Sequence, residues 1–311
     1  MTPSHLPLLT LLFGAACATA TPAGVAEPVP NAGEPRIECK IIDTSTPAKI
    51  SVIEGDGVSV HTFLAPAVSS GTATHVIETA DSLVIVDTQM LRAYAAEFRA
   101  YADGLGKPIS HVFVSHGHPD HYFGLESFDD RPTYALPETA KQIRARGAFH
   151  LLNHQKNERE CDAVTDRVRV PEHTAVVGEL VVGGTTLILE RVRKAEDNDQ
   201  LVIRVPAAKT LILQDLMATD THGFISAGFE EHWVEVLEAY GAAEAYEHVL
   251  AGHGAPTDRA GIATMIDYVE RGAAIAESAE SAEAFIEAMR VAFPDKQGMY
   301  LVELMGKLNF R

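Results

Sequence analysis

Short runs of β-branched and aliphatic residues dominate the first half of the chain, and Gly, Asp and Ser separate one run from the next. Such runs predict buried strands at RIECKII, ISVIEG, VSVHTFLAP, THVIETA, SLVIVD and ISHVFVS. Before the last of these runs, apolar side chains recur at spacings of three and four. This spacing predicts an amphipathic helix whose apolar face is formed by Leu91, Tyr94, Phe98 and Tyr101.

The second half repeats this order of strands followed by helix. PETAKQIRARG, with Pro137 in its first turn, predicts a helix, and TAVVGEL, TTLILERV, QLVIRV and TLILQD predict four strands. EEHWVEVLEAYGAAEA predicts a further helix, with Trp233 in the core, and HVLAGHG predicts a strand. From about Ala260 the pattern is helical, with an apolar face at Phe285, Ile286, Met289 and Phe293. Two such halves predict two sheets packed face to face with helices outside, a four-layer α/β/β/α sandwich.

The first twenty residues, MTPSHLPLLTLLFGAACATA, contain no Asp, Glu, Lys or Arg. Their apolar run from Leu6 to Ala16 is too short to span a bilayer, and it is followed by the small residues Ala18-Thr19-Ala20. We therefore predict a signal peptide over 1–20 and export of the chain to the periplasm. Attachment of a lipid at Cys17 is the alternative form of export, and an apolar N-terminus on a cytoplasmic protein also remains open.

Residues 21–35 are rich in Pro, Ala and Gly and contain almost nothing to bury, which predicts a flexible linker. One domain with C-terminal helices then spans 36–311. Two cysteines remain after the predicted cleavage, Cys39 and Cys161. They either form one disulfide in an oxidising compartment or stay as free buried thiols.

The chain has 25 Lys and Arg against 43 Asp and Glu, a formal net charge of −18. So acidic a surface argues against binding nucleic acid or an anionic membrane, since like charges repel. We expect a small-molecule substrate and no membrane insertion of the mature chain. The sequence leaves the oligomeric state open.

The stretch VSHGHPDHYFG, residues 114–124, concentrates side chains that bind metals. His116 and His118 lie two positions apart after a predicted strand, so both can face the same way, and Asp120 and His121 follow in the loop. Four ligand-type side chains at this spacing indicate metal binding rather than a structural role. Two neighbouring divalent ions would suit a hydrolytic site.

This stretch resembles the HxHxDH signature of the metallo-β-lactamase superfamily, and the resemblance extends over about residues 50–260. It implies an αββα sandwich of two mixed β-sheets and a site with two metal ions. Asp215, at the end of LILQD, matches the aspartate that bridges both ions, and His253 in VLAGHG matches the last histidine. Asp87 in VIVD resembles a buried aspartate that supports the metal-binding loops.

One position departs from the family pattern. The family usually has GHT nineteen residues before the bridging aspartate, and this chain has Glu196 there, in KAEDNDQ. Glutamate is a competent ligand for zinc. Asp197 or Asp199 could instead be the ligand, or none of the three. A carboxylate at this position would lower the net charge of the centre and allow Mn or Fe beside Zn.

The resemblance implies a metal-dependent hydrolase that attacks an ester, lactone, thioester or related bond with a hydroxide held between the ions. Its candidate ligands are His116, His118, Asp120, His121, Glu196, Asp215 and His253. Asp120 would also orient the attacking hydroxide or take its proton, and His222, seven residues after Asp215, is a candidate substrate contact. The alternative is a protein of the same fold that holds a single iron ion, acts in ligand binding or redox chemistry, and has no hydrolytic activity.

Overall fold

The structure is a computed structural model that describes residues 42–156, 161–225 and 228–310. The predicted signal peptide, linker and lipid-attachment residue Cys17 lie outside the described residues, as do Cys39 and most of the predicted strand RIECKII. Cys161 is disulfide-bonded.

The first sheet, sheet A, has seven strands in sequence order. Its first four strands are antiparallel neighbours, and from the fourth strand onward neighbours run parallel, so the sheet is mixed. The strands are β1 (Lys49–Glu54), β2 (Ser59–Leu64), β3 (Ala73–Glu78), β4 (Leu83–Val86), β5 (Ile109–Val114), β6 (Thr133–Ala135) and β7 (His173–Thr174).

The second sheet, sheet B, has five strands in the order β12-β11-β10-β9-β8. Only its β11–β12 pair is parallel. The strands are β8 (Gly178–Val182), β9 (Thr185–Arg193), β10 (Asp199–Val205), β11 (Thr210–Ala218) and β12 (His248–His253). The prediction of one strand over TAVVGEL is wrong: β7 belongs to sheet A and β8 to sheet B, and the chain crosses between them before Gly178, whose φ of 114° interrupts an extended run.

The described residues contain seven α-helices, which cover the outer faces of the sheets. Apolar side chains of α1 and α3 pack on sheet A, and those of α4 to α7 pack on sheet B. The helices are α1 (Arg92–Gly104), α2 (Pro119–Tyr122), α3 (Pro137–Lys156), α4 (Glu230–Gly241), α5 (Arg259–Ser278), α6 (Ala282–Ala292) and α7 (Met299–Asn309). None of them combines the length and the apolarity that crossing a bilayer requires.

The apolar core lies in three layers. The middle layer is formed by side chains of both sheets, among them Val84, Phe113 and Ile203, and each outer layer lies between one sheet and its helices. Alternate residues of a strand face opposite sides, so each sheet contributes to two layers. The predicted four-layer αββα sandwich is confirmed.

Candidate metal centre

The ligand-type side chains predicted from the sequence meet at one edge of the two sheets, although they come from four separate parts of the chain. His116 and His118 follow β5, and Asp120 and His121 lie on the short helix α2. The other three come from sheet B: Glu196 from the turn between β9 and β10, Asp215 from β11, and His253 from the end of β12. Metal ligands often lie at such strand ends, where loops can turn side chains toward one point.

Four of these side chains form a first group whose ligand atoms all lie within 4.8 Å of one another: His116, His118, Glu196 and Asp215. Nε2 of His116 is 3.4 Å from Oδ2 of Asp215, and Nδ1 of His118 is 3.5 Å from Oε1 of Glu196. The four atoms therefore surround one point closely enough to bind one ion.

Asp120, His121 and His253 form a second group that meets the same distance limit. Nε2 of His253 is 3.1 Å from Oδ2 of Asp120, and Nε2 of His121 is 3.5 Å from the same oxygen. Asp215 touches this group also, since its Oδ1 is 3.1 Å from Nε2 of His121 and its Oδ2 is 3.4 Å from Nε2 of His253. Asp215 thus lies between the two groups.

Several of the donor atoms are buried without a hydrogen-bond partner among the described residues. They are Nε2 of His121, both carboxylate oxygens of Glu196 and Oδ1 of Asp215. A buried carboxylate that accepts no hydrogen bond is costly unless a cation compensates it. No lysine or arginine of the described residues forms an ion pair or hydrogen bond with the seven side chains, so the donor set fits bound metal cations.

The far nitrogens of three histidines are held by hydrogen bonds. Nδ1 of His121 donates to Oδ2 of Asp87 at 2.7 Å, and Nδ1 of His253 donates to the carbonyl of Ser70 at 3.0 Å. Nδ1 of His116 lies 2.9 Å from Oγ of Ser115, which itself donates to Asp87 at 2.7 Å. These bonds place the proton on Nδ1, so Nε2 of each ring carries the lone pair that binds a metal.

Asp87 connects to both groups through hydrogen bonds, directly to His121 and through Ser115 to His116. It is fully buried, follows β4 with a φ of 62°, and also accepts hydrogen bonds from the Ser115 amide and the Gln214 side chain. The pKa of Asp87 is lowered because the charges and hydrogen bonds of His121, His116 and Ser115 outweigh burial, which acts to raise it. An ionised Asp87 can therefore orient His121 directly and His116 through Ser115.

Without a cation, the carboxylates hold protons on the imidazoles. Burial lowers the pKa of His118 and of His253, but the neighbouring charges of Glu196 and Asp215 at His118, and of Asp215 and Asp120 at His253, raise each pKa to about 10. Burial, Asp215 and Asp197 raise the pKa of Glu196 well above its usual value. A metal must displace protons from such a cluster, so metal affinity should increase with pH.

A bulge in β11 places Asp215. Gln214 has a φ of 46°, and the pairing of β11 with β12 shifts register on both sides of it. Such a bulge changes which side of the sheet the following residue faces. A Cβ atom on Gly252 in β12 would overlap the Asp215 carboxylate, so a residue without a side chain is needed opposite it.

The model of the family described as the metallo-beta-lactamase superfamily matches residues 70–264. The chain belongs to the metallo-β-lactamase superfamily. The match contains every ligand-type side chain named above and ends inside α5. The resemblance stated from the HxHxDH stretch is confirmed.

Solved structures of this fold are similar to the chain at low sequence identity. The mono-zinc form of the metallo-β-lactamase FIM-1 from Pseudomonas aeruginosa is 17% identical, covering 74% of this chain and 98% of its own, with a TM-score of 0.54. The metallo-β-lactamase from Hirschia baltica is 21% identical, covering 72% and 98%, with a TM-score of 0.54. That from Erythrobacter litoralis is 18% identical, covering 71% and 96%, with a TM-score of 0.51. No curated protein matches the sequence significantly.

Within this superfamily fold, the turn between β9 and β10 directs Glu196 at the centre and its acidic neighbours elsewhere. Lys194 in this turn has a φ of 53°, and Asp199 pairs with Arg191. Asp197 is buried near His118, but it is not among the side chains that form the two groups. Of the three carboxylates considered from the sequence, Glu196 is the one grouped with two histidines and Asp215.

His222, the candidate substrate contact, does not face solvent. Its side chain is fully buried, with Nδ1 3.2 Å from the hydroxyl of Tyr268 and its ring edge-on to Phe293. Its neighbour Phe224, which sequence reasoning missed, lies edge-on to His118 with ring centroids 5.8 Å apart. An aromatic residue in a loop carries no sequence signal of this kind, because the contact depends on how the loop folds back.

Proposed function

We propose that this protein is a hydrolase that binds two divalent metal ions and cleaves an uncharged ester, lactone or thioester. His116, His118 and Glu196 would hold one ion, Asp120, His121 and His253 the other, and Asp215 would bind both. The observation that supports this most is the convergence of the seven ligand-type side chains, several of whose ligand atoms are buried without a hydrogen-bond partner among the described residues; bound cations would compensate these atoms.

Two such ions lower the pKa of a water molecule toward ~7 and draw charge from the oxygen of the bond that is cleaved. Zinc is the metal named for one structural neighbour, and manganese or iron also suits oxygen-rich donors. Metal identity is therefore part of the test.

Asp120 is suited to accept the proton of the attacking water. Its side chain is 17% exposed and faces His253 and His121. Burial acts to raise its pKa, but the charges of these histidines hold it well below the usual range, so the carboxylate is ionised. An ionised, partly exposed carboxylate beside the ligands can orient water and take its proton.

Two features support an uncharged substrate. Three ligand carboxylates offset most of the charge that two divalent ions bring, and no lysine or arginine of the described part of the chain contacts the ligands. The edge of the centre beside His118, which is 25% exposed, is lined by the apolar ring of Phe224. Among the described residues no cationic side chain pairs with the ligands and could extend such a pairing to a carboxylate, sulfate or phosphate group, whereas an acyl chain or lactone ring can pack on Phe224.

The test is elemental analysis of the purified protein, followed by assays before and after chelation. The substrate panel contains a neutral lactone, a neutral ester, a thioester, a β-lactam and a sulfate ester. We expect two divalent ions per chain and hydrolysis of the neutral substrates that is lost on chelation and restored by metal. Two ions without any hydrolysis would contradict the proposal, and one iron without hydrolysis would favour the non-hydrolytic alternative.

A further inference from the structure

The chain continues well beyond the part matched by the family model, which ends at residue 264. The structural neighbours are covered almost completely while about a quarter of this chain stays uncovered. Helices α6 and α7 therefore follow the matched domain. Residues 296–309 comprise the end of the connection between these helices and all of α7, and they are called the C-terminal segment.

The C-terminal segment bonds to the loop that leaves β11, residues 219–225. The amide of Gln297 donates to the carbonyl of Asp220 at 2.9 Å, and the carbonyl of Gln297 accepts from the amide of His222 at 2.9 Å. At the far end of the loop, the Ile225 amide lies 2.9 Å from the sulfur of Met305, and Asn309 donates to the Ile225 carbonyl at 3.3 Å. Both ends of the loop are thus held by this segment.

Lys296 adds a half-buried cation to these bonds. Its ammonium donates to three carbonyls, those of Ala218 at 3.0 Å, Thr219 at 3.1 Å and Thr221 at 2.9 Å. Its nitrogen also lies 4.9 Å from the ring centre of Tyr268. Burial lowers the pKa of Lys296 to about 8, so placing a charge here opposes folding. The three hydrogen bonds to the carbonyls offset this cost and tie Lys296 to the start of the loop.

The loop held in this way touches the metal centre. It begins just after the strand that carries Asp215, and its Phe224 is the residue that lies edge-on to His118. A shift of the loop would therefore move the apolar wall of the proposed substrate site.

The same segment reaches the opposite side of the centre through Tyr300. Its hydroxyl donates to Oγ of Ser70, and the carbonyl of Ser70 accepts the hydrogen bond from Nδ1 of His253. The amide of Gly254 donates to the carbonyl of Gly71 at 2.9 Å, so the Ser70 turn and the end of β12 are joined. Tyr300 thus contacts a residue that orients a candidate ligand.

We propose that the C-terminal segment is a positioning element of the metal centre, in which Lys296 and Gln297 hold the loop that sets Phe224 against His118, and Tyr300 holds the Ser70 turn that orients His253. This inference rests on the proposed function for its substrate, but not for its metal-binding test.

The first test measures metal affinity by competition with a chromogenic chelator, and it needs no substrate. Tyr300→Phe removes only the hydroxyl. We expect one of the two ions to bind about threefold to tenfold more weakly, less than the ~10–100-fold caused by losing a direct outer partner of a ligand. Glu303→Gln on the exposed side of α7 is the control for changes in the segment, and it should leave both affinities unchanged.

The second test measures KM and kcat for the best neutral substrate. Lys296→Met should raise KM about tenfold, the low end of what a lost apolar contact costs, with a smaller change in kcat. Phe224→Ala should raise KM by a similar factor. The KM of the double variant should not exceed that of Phe224→Ala alone, because both changes act on the same contact, that of Phe224 beside His118. Glu303→Gln serves again as the control.

The proposal is overturned if Lys296→Met and Tyr300→Phe equal Glu303→Gln in metal affinity and KM, even if they melt at a lower temperature. Additive effects of Lys296→Met and Phe224→Ala on KM would also overturn the part that concerns the loop. If the parent protein binds metal but hydrolyses nothing, the proposed function fails, and the metal affinity of Tyr300→Phe still decides the present inference.

Discussion

Two of the clusters of imidazole and carboxylate among the described residues differ in their hydrogen bonding. In the first, on sheet A, Nδ1 of His61 lies 2.7 Å from the hydroxyl of Tyr101 and Nε2 lies 3.0 Å from Glu78. Lys107 pairs with the same glutamate at 2.8 Å. We call this the His61 cluster. Both ring nitrogens of His61 have hydrogen-bond partners and the carboxylate of Glu78 is paired with Lys107, so the cluster needs no further cation.

The candidate metal centre is incomplete by the same measures. Three carboxylates and four imidazoles meet there, and no lysine or arginine among the described residues bonds to them. Donor atoms of His121, Glu196 and Asp215 are buried without partners. The comparison teaches that composition alone does not distinguish a structural histidine from a metal ligand. Between these two clusters, the closure of hydrogen bonds and charge distinguishes them.

The largest effect expected from this difference follows from Asp215→Asn. The amide keeps the shape but removes the charge shared by both groups, so we expect loss of both ions, beyond the ~10–100-fold cost of an outer partner. His61→Gln, in contrast, should leave metal content unchanged and lower the free energy of unfolding by about 1–3 kcal/mol, the cost of unpaired buried groups. Elemental analysis and urea unfolding of both variants provide the measurements. Equal loss of metal from Asp215→Asn and His61→Gln would contradict the assignment of only one of the two clusters to metal binding.

A smaller effect should separate the two halves of the centre. Glu196→Gln should weaken one of the two ions by on the order of 100-fold and leave the other in place, since Glu196 contacts only the first group. Glu196→His restores a nitrogen donor and should retain both ions.

The same pair also tests the charge argument. Glu196→His makes the centre more positive by one unit, so inorganic phosphate should bind the metal-loaded variant more tightly than the parent in calorimetry. Glu179→Gln on the exposed strand β8 is the matched control for Glu196→Gln. Unchanged metal affinity in Glu196→Gln would show that this carboxylate is not a ligand.

Much of this fold could be predicted from the sequence because local patterns and tertiary structure agree. Apolar runs such as SLVIVD and TLILQD are buried on both faces and formed strands as predicted. The candidate ligands near residue 116 could be predicted because they lie within six positions of one another. The split of TAVVGEL between two sheets could not, because a crossing between sheets depends on where each edge lies.

Contacts across long separations explain the other limits. The sequence left Glu196, Asp197 and Asp199 as alternatives, and pairing of Asp199 with Arg191 in the β9–β10 hairpin separates them. His222 was expected near substrate, yet α5 and the residues before α7 enclose it beside Tyr268. The contact of Phe224 with His118 joins residues more than a hundred positions apart, and no periodicity encodes it.

The smallest effect concerns a buried histidine outside the centre. His75 lies between the sheets, with Nδ1 3.1 Å from Thr62 and Nε2 3.3 Å from the carbonyl of Ala251. Burial lowers its pKa to about 4, from the 6.5 of the exposed group, despite the nearby charge of Asp87. Between pH 4 and pH 6.5 the unfolded chain binds a proton at His75 that the folded chain does not. The contribution of neutral, buried His75 to the free energy of unfolding is therefore fully present above pH 6.5 and is lost as the pH falls toward 4.

His75→Gln removes this titration. Urea unfolding of the metal-free parent and variant at pH 7, 6 and 5 should show the parent more stable at pH 7, with its advantage shrinking by about 2 kcal/mol at pH 5. The metal ligands titrate in both proteins, so their contribution cancels in the difference. An advantage that stays constant or grows on acidification would mean that His75 is protonated in the fold and belongs with the charged imidazoles of the centre rather than with His61.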